Sequence, residues 1–427
     1  MIRYLVILIL FPLLLHAQGI KSIHELFDSL KTNPQTLRDQ INMERAEVGE
    51  NLAYSNLFPT IKLFGKYDYS TDPSGMQPLT PNEMFPMIKD QTIPQPFSER
   101  ILRAGATISM PIFVKSIFTM ASKAKMMYKS AESKKYINLL KNEAILVGAN
   151  ANLLYMENLE KALDKKKNSL LKTKEIVDIK VKEGRAPESA QLKINSGINS
   201  VDIMKNEVTV NKEKALQLIN SLTGIRLEQS IPMKQVENLL EGKIKALEPL
   251  RNKLMADSLA YRAEKEKLWP VLVLNGNYNF SFADAYNNNI AVKEKFGTVS
   301  LTLSVPLFTM TQYRKIEQEG LLLKATETEM KKMNLQLRSQ AIQLKNSLPI
   351  IIESISLYKK SVGNKEKLLK IARVSYDSGR MSVEDYLKYE DDLLMERAKL
   401  YKAQASQWQT TMKLAVIFGN NIEEIVK

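Results

Sequence analysis

The sequence predicts a mixed α+β fold in which each chain supplies four strands of the transmembrane type and several very long helices. Three observations predict it. The chain is internally duplicated, and each copy contains two stretches in which apolar and polar residues alternate. Each copy then continues for about 70 residues without a Gly/Pro cluster, which indicates a helix longer than a globular domain needs.

The first residues of the chain have the features of an export signal. Arg3 precedes an apolar run from Leu5 to Leu15, and Ala17 provides a small residue for cleavage before Gln18. The run is shorter than the roughly 20 apolar residues that a spanning helix requires, and no second run of this kind follows. We therefore expect residues 1–17 to be a removable signal peptide.

The composition argues against an enzyme and against a nucleic-acid partner. Lysine and arginine outnumber the acidic residues 61 to 47, a net charge of +14, but the charges are scattered through helical stretches. The chain has no cysteine, and His24 is its one histidine beyond the signal. Because it also lacks a phosphate-binding loop and a nucleophile elbow, we expect no catalytic site, no cofactor and no metal site.

The duplication is visible at several places along the chain. The stretch LFPTIKLFGKYDYS, which begins at Leu57, returns as LWPVLVLNGNYNFS from Leu268. Three further pairs share one offset, so the two copies carry no net insertion relative to each other: Pro111 with Pro306, Gly184 with Gly379, and Gly224 with Gly419. We predict repeat 1 at residues 18–226 and repeat 2 at 247–427, joined by a linker at 227–246.

The alternating stretches predict two strands in each repeat, at about 58–70, 101–111, 269–282 and 296–306. In the first of them, Ile61, Leu63 and Tyr67 share one face while Lys62 and Lys66 share the other. About 10 residues is the length that a tilted strand needs to cross a bilayer. Soluble hairpins packed on a core remain the alternative. Within a membrane, four strands cannot close a barrel, whose minimum is about eight, so several chains would have to contribute.

The strands are expected to end at prolines and to be joined by surface loops. Pro111 and Pro306 occupy equivalent positions in the two repeats, and we expect both to mark a strand-to-helix junction. The Pro-rich segment Thr71–Glu99 and the Asn-rich segment Asn287–Asn289 are predicted to be the loops.

The remaining sequence predicts helices that pack side by side. Long helices are expected at 112–183 and 307–378, and shorter returning helices at 187–222 and 382–418. Apolar residues along the long helices step by four and three, which is the spacing of a coiled-coil seam. The two helix reversals contain Gly184 and Gly379, since glycine suits the left-handed residue that ends a helix. Ser382 with Asp385 fits a capping box at the start of the last long helix.

These features resemble the TolC-like outer-membrane efflux family over essentially the whole mature chain. The opening IHEL at Ile23–Leu26 resembles the start of that family, and YDSGRMSVEDYL at Tyr376–Leu387 resembles its periplasmic tip. The resemblance implies a homotrimer in the outer membrane of a Gram-negative cell. It implies a twelve-stranded transmembrane β-barrel, four strands from each chain, continued by an α-helical coiled-coil periplasmic tunnel. It further implies passive conduction, with a periplasmic adaptor and an inner-membrane RND or ABC transporter as partners, in a tripartite efflux or type I secretion system.

The resemblance also implies roles for residues at the second reversal. The gating tyrosine of the family corresponds to Tyr376, and its first constriction aspartate corresponds to Asp385. Its second aspartate falls on Lys388 and its tip arginine on Met381, so this sequence departs from an acidic ring. Helix capping explains Asp385 equally well, and packing in the seam explains Tyr376 equally well.

The exposed turns are the expected place of contact with an adaptor, because a partner reaches the end of a rigid rod most easily. The candidates are Gly184, Arg185, Gly379 and Arg380. A different class of protein remains as the alternative function: a periplasmic coiled-coil adaptor or scaffold that does not span the membrane. Nothing in the sequence distinguishes drugs, metal ions and proteins as the transported substrate.

Overall fold

A computed structural model describes residues 22–427, so the predicted signal peptide at residues 1–17 lies outside the described residues. The described chain forms two compact units. The first consists of residues 22–38, 135–246 and 336–427, and the second of residues 39–134 and 247–335. The first is helical, and the second contains the sheet.

Each half of the described chain contains two strands, which are followed by a long helix and a shorter returning helix. The first half contains α1 (Ile23–Lys31), α2 (Pro34–Ser55), β1 (Thr60–Gly75), α3 (Pro81–Lys89), β2 (Phe97–Phe113), α4 (Lys115–Lys182) and α5 (Glu188–Thr223). The second contains α6 (Glu248–Glu266), β3 (Val271–Asp284), β4 (Ala291–Ser304), α7 (Met310–Asp377), α8 (Val383–Phe418) and the short α9 (Ile422–Ile425). The helices α4 and α7 have 68 residues each, and α5 and α8 have 36 each.

The four strands form one antiparallel sheet in the order β1-β2-β3-β4. The strands have 14 to 17 residues, and β1, β2 and β4 are longer than the sequence predicts, while β3 has the predicted length. The predicted loop Thr71–Glu99 is correspondingly shorter, since β1 continues to Gly75, β2 begins at Phe97, and α3 lies between them. The helices α4 and α7 begin at Lys115 and Met310, three residues after the predicted positions 112 and 307.

The prediction that Pro111 marks a strand-to-helix junction is wrong. Pro111 pairs with Val273 inside β2, which continues to Phe113. A proline cannot donate a ladder hydrogen bond, and the strand accommodates it beside a register shift between Pro111 and Phe113. Pro306 does lie between β4 and α7, as predicted.

The largest core of the helical unit surrounds α1. Its Leu26 and Phe27 are fully buried and pack with Val147 of α4, Ile219 of α5 and Ala415 of α8. Burying side chains of this size contributes about 1.5–3 kcal/mol each, so this cluster is a main source of stability for the unit.

The segment between the repeats is attached to this core rather than free. The side-chain amide of Asn150, fully buried on α4, donates to the Ile231 carbonyl at 2.7 Å and accepts from the Ile231 N–H at 2.9 Å. Farther along, the N–H of Lys234 donates to the carbonyl of Lys427 at 2.6 Å. The linker predicted at 227–246 therefore packs against the C-terminal residues.

Among the described residues, no helix is both long enough and apolar enough to cross a membrane.

Candidate functional site

One face of the sheet is apolar and is exposed in the single chain. The register aligns Leu63 with Ala106 and Leu274 with Leu301 on this face. Leu63 is 84% exposed and Leu301 is 62% exposed. The other exposed members of the face are Ile61, Tyr67, Tyr69, Leu102, Ile108, Tyr278, Phe280, Phe282, Val299 and Leu303. An exposed apolar face of this extent indicates contact with lipid or with another protein.

The opposite face of the same sheet is polar. Ser109 donates to the side chain of Asn275 at 3.0 Å, and Arg103 donates to the Asp68 carboxylate at 2.5 Å. Lys66 lies 2.6 Å from the other oxygen of Asp68. One apolar and one polar face is the pattern of a strand between lipid and water, and the structure places the alternating residues as the sequence predicts.

The segment that follows β1 folds over the polar face, which the sequence did not reveal. Met76 is only 4% exposed, and its carbonyl accepts a hydrogen bond of 3.2 Å from the hydroxyl of Ser281. Arg103 donates to the carbonyl of Gly75 at 2.8 Å. Asn287, in the loop between β3 and β4, donates to the carbonyl of Ile93 at 3.0 Å. The segment therefore covers part of the polar face at the end of the sheet that is remote from α4 and α7.

In the part of the chain that the structure describes, each outer strand of the sheet is paired on one side only. Within residues 22–427, β1 pairs only with β2 and β4 only with β3. An unpaired edge leaves a row of backbone N–H and C=O groups available to another strand. The edges of β1 and β4 are therefore places where a further chain can extend the sheet.

The two helix reversals have the same backbone geometry. Gly184 and Gly379 have φ values of +67° and +73°, in the left-handed region. The N–H of Arg185 donates to the Lys180 carbonyl at 2.7 Å, and the equivalent bond joins Arg380 to Ser375 at 2.9 Å. This is the Schellman pattern, in which the residue after the glycine satisfies an unpaired carbonyl of the last turn.

The four residues expected to contact an adaptor are exposed. Both reversals lie at the same end of the helical unit, since Lys193 of α5 pairs with Glu384 of α8 at 2.8 Å. Arg185 pairs with Glu183 at 3.2 Å, and the Arg380 side chain lines a small depression with Asp385 and Lys388.

Asp385 and Lys388 lie together on the first turn of α8. The N–H of Asp385 donates to the Ser382 hydroxyl at 3.0 Å, and that hydroxyl donates to the Asp385 carboxylate at 2.7 Å. Lys388 lies 3.2 Å from the same carboxylate. The Ser382 hydrogen bond, assisted by Lys388, holds the pKa of Asp385 below its usual value. The helix is capped as the sequence predicts, except that the carboxylate bonds to the serine hydroxyl and not to its backbone.

Tyr376 is packed within the single chain. It is 4% exposed, and its ring stacks on that of Tyr386 with the centroids 5.2 Å apart. Its hydroxyl has no hydrogen-bond partner among the described residues, and burial raises its pKa. Lys180 of α4 lies 5.3 Å from the ring centroid. Seam packing therefore accounts for the surroundings of Tyr376 in the single chain.

A buried polar cluster lies next to this tyrosine pair. Tyr386 donates to the carboxylate of Glu390 at 2.7 Å and accepts from Arg373 at 3.3 Å. Ser169 of α4 donates to the same carboxylate, and Glu390 is 5% exposed. The cluster joins α4, α7 and α8. The sequence pattern did not indicate this cluster, although Tyr386 and Glu390 are four residues apart on one helix face, a spacing that brings side chains together.

No protein-family model matches the chain, and no curated protein matches it significantly. Solved structures do match the chain. The outer membrane channel CmeC of Campylobacter jejuni aligns over 93% of this chain and 85% of its own, with 19% identity and a TM-score of 0.76. The outer membrane protein VceC of Vibrio cholerae aligns over 93% and 96%, with 14% identity and a TM-score of 0.76.

A third structure is that of the outer membrane channel MtrE of Neisseria gonorrhoeae in its open state. It aligns over 94% of this chain and 90% of its own, with 14% identity and a TM-score of 0.72. The alignments cover the sheet and the helices together. The chain therefore has the fold of the outer-membrane channel proteins, which confirms at the level of the fold the resemblance seen in its sequence.

Proposed function

We propose that this chain is a subunit of an outer-membrane channel, the exit duct through which a periplasmic assembly passes its substrates to the exterior. The observation that carries the proposal is the sheet. It has an exposed apolar face, a polar face and two unpaired edges. A membrane barrel requires these three properties together, because lipid surrounds its outside, water fills its inside and each strand must be paired.

We propose that three copies of the chain close the barrel. Four strands per chain are below the minimum of about eight for a membrane barrel, and three chains would supply twelve. The trimer itself comes from the resemblance to the TolC-like family. Pairing β4 of one copy with β1 of the next would satisfy both edges.

The helical unit independently supports association of several chains. Between residues 342 and 374, α7 exposes large apolar side chains that no described residue covers. Leu357 is 56% exposed and Ile371 is 64% exposed. A stripe of this kind along a helix is the pattern of a surface that packs against another helix. The members are Ile342, Ile350, Ile352, Leu357, Leu368, Ile371 and Val374.

In this assembly the helices lie in the periplasm and the exposed turns meet the adaptor. Gly184, Arg185, Gly379 and Arg380 are the contacts that we propose, because they lie exposed at one end of the helical unit. Conduction is passive, and energy comes from an inner-membrane transporter of the RND or ABC type. The similar structures are channel proteins rather than enzymes.

We retain Tyr376, Asp385 and Lys388 as the candidates for a constriction. The Asp385–Lys388 pair supports this placement because both groups are exposed beside the turn. An anion paired with a cation gives a locally neutral surface, so a strong cation-binding ring is not expected. Tyr376 would act through its packing on Tyr386 rather than as a free polar group.

The experiment that tests the proposal is single-channel recording in a planar bilayer, with the oligomer mass of the same detergent-extracted sample. Stable conductance from a trimer is the expected result. A soluble monomer without conductance would refute it and favour the periplasmic adaptor or scaffold.

Two neighbouring residues of β4 provide matched variants. Leu301 lies on the apolar face and Thr302 on the polar face. A lysine facing lipid costs about 2–4 kcal/mol near the bilayer centre, whereas one facing the lumen costs little. We expect Leu301→Lys to abolish insertion and Thr302→Lys to insert normally. Equal behaviour of the two variants would contradict the assignment of the faces.

A further inference from the structure

The apolar face of the sheet carries positively charged side chains at the end where the loops lie. The register pairs Lys293 with Phe282 and Lys295 with Phe280, and it pairs Arg100 with Tyr69. Each of these aromatic residues belongs to the apolar face. The three cations therefore lie on the face that is proposed to contact lipid, and not on the polar face.

The three cations are exposed, and no described residue forms an ion pair with them. Their side chains lie in the exposed class, and the structure gives none of them an ion pair within residues 22–427. The Nζ of Lys295 lies 5.7 Å from the centroid of the Phe280 ring. Asp284 is the acidic residue on the same end of this face, where it pairs with Ala291. The end of the face thus has an excess of positive charge.

The order of residues along β4 places these cations just beyond the apolar band. Leu303, Leu301 and Val299 come first, counted from the end that leads into α7, and Lys295 and Lys293 follow on the same face. At about 3.3 Å per residue, Lys295 lies roughly 13 Å beyond Val299 along the strand. Long lysine stems lie along apolar surface while the ammonium group stays in water, so these side chains suit the boundary between acyl chains and headgroups.

The same boundary on β2 carries the third cation. Arg100 and Lys293 lie on strands that are separated by β3, so two strand spacings, about 10 Å, separate them across the sheet. A guanidinium binds phosphate oxygens through two parallel hydrogen bonds, and ammonium groups bind phosphate as point charges. Donors at this separation suit a headgroup that bears more than one phosphate.

We propose that Arg100, Lys293 and Lys295 form a binding site for the phosphate groups of lipid in the outer leaflet. The apolar surface directly below would hold the acyl chains, which a free phosphate lacks, so the occupant is a phosphorylated lipid. This inference rests on the proposed function, because only a sheet in the outer membrane turns this end toward the outer leaflet.

The test measures lipid binding to the full-length protein extracted in detergent. The probe is synthetic diphosphoryl lipid A, compared with the same molecule lacking both phosphates, and the retained lipid is counted by native mass spectrometry. We expect the wild-type protein to prefer the phosphorylated probe. Each basic group near an anionic lipid surface contributes roughly fivefold in affinity, so Lys293→Gln with Lys295→Gln should weaken binding about 25-fold.

Two further variants make the result specific. Lys62→Gln removes an exposed lysine from the opposite face of the same sheet and should leave binding unchanged. Lys293→Arg with Lys295→Arg keeps both charges and should retain the preference. Equal binding of the two probes to the wild-type protein would overturn the inference, as would an equal loss in Lys62→Gln or displacement of the lipid by excess inorganic phosphate.

Single-channel recording in a planar bilayer distinguishes failure of the lipid-site inference from failure of the proposed function. Normal conductance without phosphate preference would refute the lipid site alone. A soluble monomer without conductance would refute the channel, and the lipid site with it.

Discussion

The carboxyl group of Glu143 is buried in the largest core of the helical unit, and we expect it to control how stability depends on pH. Its side chain is 2% exposed, and one of its oxygens has no hydrogen-bond partner among the described residues. Burial and the nearby Glu423 raise its pKa from 4.5 to about 8, while Lys31 acts in the opposite direction. Lys31 is itself paired with Glu423 at 2.8 Å and with Asp28 at 3.0 Å. The charged form of Glu143 is therefore the disfavoured one.

The sign and size of the effect follow from these two pKa values. In the folded protein Glu143 holds its proton up to about pH 8, whereas in the unfolded chain it loses the proton near pH 4.5. Folding is therefore penalised increasingly as pH rises through this window, and the penalty is absent below it. At 1.36 kcal/mol for each pKa unit, the largest loss of folding free energy is about 5 kcal/mol. About 4 kcal/mol of this loss develops between pH 5 and pH 9.

The substitution Glu143→Gln keeps the shape of the side chain and removes its titration. We subtract the free energy of unfolding of the wild-type protein from that of the variant. We expect this difference to be about 4 kcal/mol larger at pH 9 than at pH 5. Urea unfolding followed by tryptophan fluorescence measures this, because Trp408 packs against the same core. A Trp269→Phe background leaves Trp408 as the one reporter.

The control is Glu175→Gln, which removes an exposed carboxylate from the same helix. Its pH profile should run parallel to that of the wild-type protein. If the profile of Glu143→Gln also runs parallel to that of the wild-type protein, the carboxyl group is ionised without penalty, and its burial does not control the pH dependence of stability.

Three other predictions concern the turn, the constriction and the assembly. Gly379→Ala should lower the free energy of unfolding by about 1 kcal/mol in the same urea assay, because its φ of +73° is unfavourable for any side chain. Asp385→Ala with Lys388→Ala should change the single-channel conductance or its block by cations, since it removes the ion pair at the proposed constriction. Ile371→Glu should prevent trimer formation, measured by native mass spectrometry, because it places a charge on the exposed stripe of α7.

Each of these predictions has a result that would contradict it. Gly363→Ala, within α7 and with open space around its added methyl group, should instead stabilise by about 1 kcal/mol. If both glycine variants shift stability in the same direction, backbone strain is not the cause. Unchanged conductance and block would leave Asp385 and Lys388 with capping and surface roles only. A trimer that persists in Ile371→Glu would mean that the apolar stripe of α7 does not hold the chains together.

The alternation of residues in the strands could be interpreted without coordinates because a strand has a period of two. Ile61 and Leu63 had to share a face, and the register confirms that Ile108 and Ala106 lie opposite them. The turns were equally predictable, because glycine adopts φ near +70° at far lower cost than other residues.

Features that depend on distant residues could not be predicted in this way. Pro111 resembles a strand terminator, yet a register shift against β3 accommodates it within β2. The Pro-rich segment after β1 indicated a loop, but its position over the polar face depends on Ser281 and Arg103.

The sequence by itself determined the four strands, the long and returning helices, their order, the two faces of the sheet and the two glycine turns, since local periodicity and backbone sterics specify these. The tertiary structure alone decided which groups lie close to one another. It placed Tyr376 against Tyr386, Glu143 near Glu423, and Lys293 and Lys295 at one end of the apolar face. The physical reason is that burial and electrostatic interaction depend on distance in space, which residues far apart in the chain acquire only on folding.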